Sequence, residues 1–313
     1  MGNEFDKRED LFEQRADCPL CGTTVSSSRH LFDVEQLDLR VGIRECSECG
    51  LAYKEQVPTS DFFSNIYSSS YIHHQQGSQM PEPEPYDRVS RMGIPDGLRH
   101  LDYGCGGGGL VREAILRGWD SYGVDPYLPE PLVGDQRFFR TNPDSGVRVP
   151  VAPFDVISLW AVVEHLDRPM TAFTWLASQL NDNGRMIFNV PNASSLIARK
   201  SGANWHIALL LEHTIFFTGK TVAWLARRIG LRVEKMIVCG SPYPLGKVSP
   251  SMAAFGLPPR DEKTNDKLSD IRWTNGNALK GLVRNPVCNR FLRSAIHWLR
   301  LGDHYYVVYG KGR

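Results

Sequence analysis

Residues 100–109 read HLDYGCGGGG, an acid on a short apolar run followed by a glycine-rich turn. Each glycine adds backbone entropy that folding must remove, so a packed chain clusters them only where geometry or a close approach demands it. The flanks read as a strand, RHLDYG, and a helix, GLVREAILRGW, with Leu110, Val111, Ala114 and Ile115 on one face and Gly118 at its end. The alternation continues with strands DSYGVD and FDVISLW, helix PMTAFTWLASQL, turn NDNG, strand RMIFNVP, helix KTVAWLARRIG, and strands LRVEKMIVCG and HYYVVYGK. Such alternation predicts an α/β fold, a parallel sheet with helices on both faces. Ligands of these sheets bind at the carboxyl ends of the strands, near the point where strand order reverses.

A different pattern precedes this one. CPLCG and CSECG place Cys18 and Cys21, then Cys46 and Cys49, in two Cys-x2-Cys pairs, each followed by a glycine (Gly22, Gly50) that permits a turn. Two thiolates per turn can converge on one cation, and four leave no open coordination position, so the spacing predicts a structural Zn²⁺ site, one per chain. An iron site would use the same ligands. The segments HLFDV and LRVGIREC between the pairs read as a hairpin. A unit this small depends on its metal for stability. The expected division is therefore a zinc ribbon over 1–75, a linker over 76–97 marked by PEPEP, an α/β core over 98–240, an insertion over 241–300 and a last strand over 301–313. The insertion pairs a polar, Pro-rich half, which could close as a lid, with apolar residues at helical spacing, which suit core or a dimer face. His73 and His74 sit in the linker region, where loop histidines are ordinarily just exposed.

Net charge is +1, so no global field points to nucleic acid or a membrane. The distribution is uneven: residues 1–60 hold 7 Lys/Arg against 12 Asp/Glu, and residues 260–313 hold 11 against 5. The basic tract suits an anionic ligand or a solvated helix face. Seven cysteines, four of them clustered, fit a reducing compartment better than a disulfide framework. The charged start MGNEFDKRED and the lack of a long apolar run predict a soluble, cytoplasmic protein with no membrane span.

The glycine turn alone is ambiguous. Gly104-x-Gly106-x-x-Gly109 with Asp125 downstream also fits a dinucleotide fingerprint. Three features together resemble class I S-adenosylmethionine-dependent methyltransferases: Asp102-x-Gly104-x-Gly106-x-Gly108, Asp125 in YGVDP, and FDVISLWAVVEHLDRP followed by NDNGRMIFNVPN. The resemblance covers residues 98–240 and the last strand. It implies a Rossmann-like, seven-stranded methyltransferase sheet with S-adenosylmethionine as cofactor. It further implies that the turn Asp102, Tyr103, Gly104, Cys105, Gly106 and Gly108 lines the methionine and ribose. Asp125 would hold the ribose, Pro126 and Tyr127 would lie near adenine, and Trp160 and Ala161 would face the sulfonium. The family's acid after the third strand has no clear match; Asp144 is the nearest.

For the chemical step the candidates are Glu164 and His165 in VVEHLDRP, and Glu212 and His213 in WHIALLLEHTIFF, with His206 behind them. The second stretch resembles the Tyr-His-Glu-His-x-x-x-Phe-Ser segment of zinc-containing sugar methyltransferases, which also carry a four-cysteine ribbon ahead of the catalytic domain and a tyrosine pair matched by Tyr67 and Tyr71. Leu210 and Leu211 stand where that family has Tyr-His, and residues 241–300 replace its larger C-terminal domain. The expected catalytic set is His213 as base, oriented by Glu212, with His165 contacting substrate; the bland alternative is buried structural pairs. The expected activity is methyl transfer to a small-molecule acceptor (a sugar, sugar nucleotide or secondary metabolite), at a hydroxyl oxygen ahead of carbon, by a monomer or homodimer. A zinc-ribbon RNA methyltransferase and a non-catalytic S-adenosylmethionine-binding scaffold are the alternatives. The first is disfavoured by the acidic ribbon and the lack of aromatics interleaved with a basic stripe.

Overall fold

The structure, a computed structural model, describes residues 11–37, 39–59, 61, 87, 89–140, 149–239 and 302–311. The insertion over 241–300, His73, His74, Tyr67, Tyr71, Asp144 and most of the expected linker lie outside the described residues.

The first strands are β1 (Phe12–Gln14), β2 (Ser28–Gln36), β3 (Leu39–Cys46), β4 (Ala52–Lys54) and β5 (Gln56–Pro58). β2 and β3 form the expected antiparallel hairpin, and β4 adds to β3. β1 pairs with β5. The α/β part follows with β6 (Arg99–Tyr103), α1 (Gly109–Leu116), β7 (Asp120–Val124), β8 (Phe138–Phe139), β9 (Phe154–Leu159) and α2 (Pro169–Gln179). Then come β10 (Leu180–Pro191), α3 (Leu196–Ser201), β11 (Ile215–Phe216), α4 (Gly219–Arg228), β12 (Leu231–Cys239) and β13 (His304–Lys311).

The large sheet has seven strands in the order β12-β13-β10-β9-β6-β7-β8. It is mixed rather than wholly parallel: β13 runs antiparallel to both β10 and β12, while β10, β9, β6, β7 and β8 are parallel. Alternating strands and helices argued for parallel pairing, but no described helix lies between β12 and β13, and β13 inserts between its neighbours in the opposite direction. The edge strand β8 is only two residues long, too short to announce itself as a periodic run. The turn expected at NDNG is a bulge within β10: Leu180 pairs with Phe154 and pairing resumes at Arg185 with Val156.

Alternation along the strands sorts side chains to two faces. Leu101, Tyr103, Ile157, Leu159, Phe188 and Tyr309 face α2 and α4, whose Phe173, Leu176, Leu225 and Ala226 complete a buried core. Phe188 lies 5.2 Å from Phe173 and 5.0 Å from Tyr309, both edge-on, and each buried ring contributes about 1.5–3 kcal/mol. The Tyr309 hydroxyl donates to the Val222 carbonyl at 2.6 Å, tying β13 to α4. The opposite face packs Val156, Ile187 and Val308 against Leu110 and Ala114 of α1 and against Val89, Met92 and Ile94.

The ribbon does not stand apart from this core. β11 pairs with β4, so a segment after β10 completes the ribbon's sheet, in the order β11-β4-β3-β2. Cys18, Cys46, Cys49, Leu51 and Tyr53 belong to the same buried cluster as Phe188 and Leu225. The Thr218 hydroxyl, at the start of α4, donates to the Gly50 carbonyl at 2.9 Å, and Lys220 Nζ donates to Ser47 O at 2.7 Å. The boundary expected between two separate units is thus bridged by a continuous core. Two-residue β11 within an apolar stretch left no period by which the sequence could reveal this pairing.

Candidate active site

Strand order reverses beside β6: the chain runs outward through β7 and β8, then returns to place β9 on the other side. The crevice expected there is bounded by the turns after β6 and β9. The first is the glycine turn. Gly104 has φ +75°, and a Cβ there would meet Val162 Cγ2 at 2.4 Å, so the turn after β9 packs directly on this backbone. Gly106 has φ +50°, yet a Cβ there would meet nothing within 4 Å. One glycine is required by the protein's own packing. The other faces open space, the cradle a ligand's approach would use.

Asp125 follows β7 and pins this turn. Its Oδ2 accepts from the Gly106 amide at 2.9 Å and its Oδ1 from the Tyr127 amide at 2.8 Å. A carboxylate offers about four lone-pair sites, so acceptor capacity remains for a pair of hydroxyls. Pro126 is half-buried and Tyr127 exposed beside it. Asp102 is buried rather than open at the strand's tip, because it closes a chain of hydrogen bonds on one face of the sheet. Ser158 Oγ donates to Asp102 Oδ1 at 2.6 Å, and a carboxylate can only accept. The Ser158 hydroxyl oxygen therefore accepts from His100 Nε2 at 2.8 Å, and His100 Nδ1 accepts from the Ser121 hydroxyl at 2.8 Å. Burial drives the His100 pKa down to about 3, which keeps the ring neutral and the chain's direction single. The i, i+2 spacing of His100 and Asp102 was the available signal for this network.

Two expected cofactor residues turn away. The Tyr103 side chain lies on the other face, 6.0 Å from the Trp175 ring in the core. Cys105 is buried among Val111, Leu128, Leu132 and Phe138, and burial raises its thiol well above the usual range. Strand alternation sends Tyr103 opposite Asp102, and both residues offer the crevice only backbone.

The second bounding turn carries Trp160, half-buried and 5.4 Å from the Tyr306 ring, and Ala161, exposed with φ +53°. The Ala161 amide donates to Asn189 Oδ1 of β10 at 2.8 Å, a hold on a strained residue for which the sequence carries no local signal. Beyond Val162 comes a single 3₁₀ turn, Val163–His165. Here Glu164, His165 and His213 converge, with one ligand atom from each within 4.8 Å of the others. The two imidazoles meet edge-on at 4.8 Å. Two hydrogen bonds tie the segments: His165 Nδ1 with the Glu212 carbonyl at 3.2 Å, and the Thr214 amide to the Glu164 carbonyl at 2.9 Å.

The expected Glu212–His213 pair is not how the structure arranges these groups. Adjacent residues in a turn point apart: Glu212 meets His165 through its carbonyl, its carboxyl feels Lys54, and the carboxylate grouped with His213 is that of Glu164. Burial raises the Glu164 carboxyl to about 7 and holds His213 well below its ordinary value, with the His165 ring adding to the second effect. His206 stands aside, 3.8 Å from Asp303. Lys54 of β4 is wholly buried; its Nζ donates to Leu210 O at 2.6 Å and Leu211 O at 3.4 Å, and its amide to Thr214 O at 2.9 Å. The ribbon thereby sets the path of the segment that carries His213.

In the ribbon the four thiols converge with Sγ–Sγ distances of 3.6 Å (Cys18–Cys49) and 3.5 Å (Cys21–Cys46). Tetrahedral Zn–S bonds of ~2.3 Å require sulfurs ~3.8 Å apart, so the donor set fits that ion. The two knuckles match: Gly22 N donates to Cys18 O and Gly50 N to Cys46 O, each at 2.9 Å. Among the described residues no helix is long and apolar enough to cross a membrane.

Comparison with known proteins identifies a family. A family described as methyltransferase domain matches residues 71–236. A ubiquinone biosynthesis O-methyltransferase of Xylella fastidiosa (strain M23) is 28% identical over 198 residues, 56% of this chain and 78% of that protein. A trans-aconitate 2-methyltransferase of Mycobacterium marinum is 30% identical over 172 residues, 48% of this chain and 59% of that protein. Among solved structures, an S-adenosylmethionine-dependent methyltransferase of Archaeoglobus fulgidus aligns with a TM-score of 0.45 at 19% identity, covering 74% of this chain and 95% of that one. More than half of the chain lies within the family match, and the chain belongs to the methyltransferase-domain family as a class I S-adenosylmethionine-dependent methyltransferase.

Proposed function

We propose that this enzyme methylates a hydroxyl oxygen of a small molecule, seated against Glu164, His165 and His213. The observation that carries the reading is that cluster, a carboxylate and two imidazoles, whose Glu164 lies two residues beyond the Val162 that packs on Gly104. When bound, S-adenosylmethionine supplies a methyl group already activated by its sulfonium. The chain's own task is then to hold the acceptor in line and make its oxygen nucleophilic. Gly106 leaves room for the cofactor, Asp125 offers acceptors to its ribose, and the Asp102 carboxylate suits its ammonium group. The cluster promotes loss of the acceptor hydroxyl's proton. Of the relatives, one is named for methylation at oxygen and the other for a small carboxylic acid, which supports a small-molecule acceptor.

The four-cysteine site holds Zn²⁺ as a structural ion in this reading. Its four thiolates leave no position for a reactant, and its sheet braces the segment that carries His213. Incubating the protein with methyl-labelled cofactor and panels of hydroxylated aromatics, hydroxy acids, sugars and bulk RNA tests the proposal. Label is expected in an oxygen-linked methyl group of a small molecule; label confined to RNA overturns it.

A further inference from the structure

We propose that Glu164, His165 and His213 form a binding site for one divalent transition-metal ion, distinct from the four-cysteine site. Three donors of metal-ligating type converge within 4.8 Å, brought together from two chain segments. Glu164 is buried, and its Oε2 makes no hydrogen bond among the described residues. The enclosed Nδ1 of His213 likewise makes none. Buried polar atoms ordinarily find partners, and each one left without a partner calls for an explanation. Here two of them lie in the same cluster, so the cluster does not satisfy itself. One cation would satisfy both.

The surroundings match what a metal site needs beyond its ligands. A ligating histidine commonly donates its other ring N–H to a carbonyl, which fixes the tautomer and aims the lone pair. His165 Nδ1 lies 3.2 Å from the Glu212 carbonyl, a contact of this kind that orients the ring. The Thr214–Glu164 backbone bond and the β4–β11 pairing hold the two segments in place before any ion arrives. Two imidazoles and one carboxylate favour zinc, iron, cobalt or manganese over magnesium or calcium, which prefer all-oxygen shells. Three protein ligands leave coordination positions open, unlike the closed four-thiolate set. The binding claim stands on this geometry alone. What the ion does rests on the proposed function: it would orient and acidify an acceptor hydroxyl, whose proton leaves to solvent.

Co²⁺ titration of the full-length, zinc-replete protein tests the proposal, followed by calorimetry and visible spectroscopy and by X-ray absorption at the cobalt edge. The expected result is one Co²⁺ per chain bound through nitrogen and oxygen, without the intense near-ultraviolet charge transfer of cobalt thiolates. Glu164→Gln and His165→Ala should each weaken uptake by at least about tenfold. S-adenosylhomocysteine affinity and circular dichroism serve as controls for folding. No Co²⁺ uptake beyond the structural site, sulfur ligation of the added ion, or undiminished uptake by both folded variants overturns the proposal. If neither variant folds, the wild-type stoichiometry and ligand shell still decide it. Because no acceptor is needed, a failure here leaves methyl transfer standing, whereas loss of S-adenosylhomocysteine binding by the wild type would count against the cofactor site instead.

Discussion

Alanine at Gly104 and at Gly106 should separate the two reasons a chain leaves a side chain out. At Gly104 the new methyl would meet Val162 Cγ2 at 2.4 Å on a backbone with φ +75°. The left-handed conformation costs an L-residue about 1–2 kcal/mol. Relieving the overlap adds about 1–3 kcal/mol, because a β-branched valine has few alternative rotamers. Gly104→Ala should therefore lower unfolding free energy by about 2–5 kcal/mol. At Gly106, φ is +50° and no atom lies within 4 Å, so only the conformational part remains, about 1–2 kcal/mol. Binding should show the reverse order. The Gly106→Ala methyl projects into the cradle and should weaken S-adenosylhomocysteine binding by at least about tenfold, or ~1.4 kcal/mol. In Gly104→Ala, trimming the neighbour with Val162→Ala should recover the steric share of the lost stability. Denaturant titration and calorimetry read both quantities on all variants. If Gly106→Ala binds S-adenosylhomocysteine as tightly as wild type, the cofactor does not lie against that backbone and the assignment of the crevice fails.

Asp125→Ala should weaken S-adenosylhomocysteine by about 1–3 kcal/mol through lost charged hydrogen bonds, and calorimetry should show it; it should also destabilise the apo-protein, since the Gly106 and Tyr127 amides lose their acceptor. Cys46→Ser should release the ribbon metal, and a variant that keeps one tightly held zinc, by elemental analysis, contradicts the four-thiolate site. Lys54 gives a pH signature. Burial lowers its folded pKa to about 7 from 10.5, so across that window the unfolded chain holds a proton that the folded one lacks. Stability from this group is therefore lowest below pH 7 and rises toward pH 10, by at most about 5 kcal/mol at ~1.4 kcal/mol per pH unit. Subtracting the profile of Lys54→Met from that of wild type should isolate this rise; parallel profiles would show that Lys54 is not buried as a titrating group.

The strands and helices of the α/β part were legible because each has a period and a terminator. Phe173 and Leu176 mark the buried face of α2, which starts at Pro169 after the stiff apolar run of β9. The four thiols were legible for a different reason: ligand spacing is a local property, and Cys-x2-Cys with its following glycine folds into the same knuckle twice. What the sequence hid depends on contacts between distant residues. Two-residue β11 and β8 have no period to read. Tyr103 and Cys105 belong to the right motif, but side-chain direction, set by strand alternation and core packing, takes them out of the crevice. Adjacency along the chain pairs His213 with Glu212, whereas the carboxylate grouped with it in space is that of Glu164, 49 positions away.

The pairing of β11 with β4 ties the four-cysteine ribbon to one side of the site. The proposed cofactor crevice is built from β6, β7 and β9 and the turns between them, and none of their described residues hydrogen-bonds to the ribbon sheet. The proposed acceptor side is different. Lys54 holds the Leu210 and Leu211 carbonyls, Lys54 N and the Thr214 carbonyl are bonded, and Gln36 Nε2 donates to Leu209 O at 3.1 Å. The segment carrying His213 is thus bonded to residues of the sheet that the four-cysteine knuckles adjoin. Loosening the ribbon should act on the two ligands unequally: S-adenosylhomocysteine affinity should survive metal loss far better than the organisation of His213 about Glu164. In Cys46→Ser, nearly unchanged S-adenosylhomocysteine binding with lost turnover is the expected pattern. Equal losses of both would mean that the shared core, rather than the β4–β11 brace, transmits the damage.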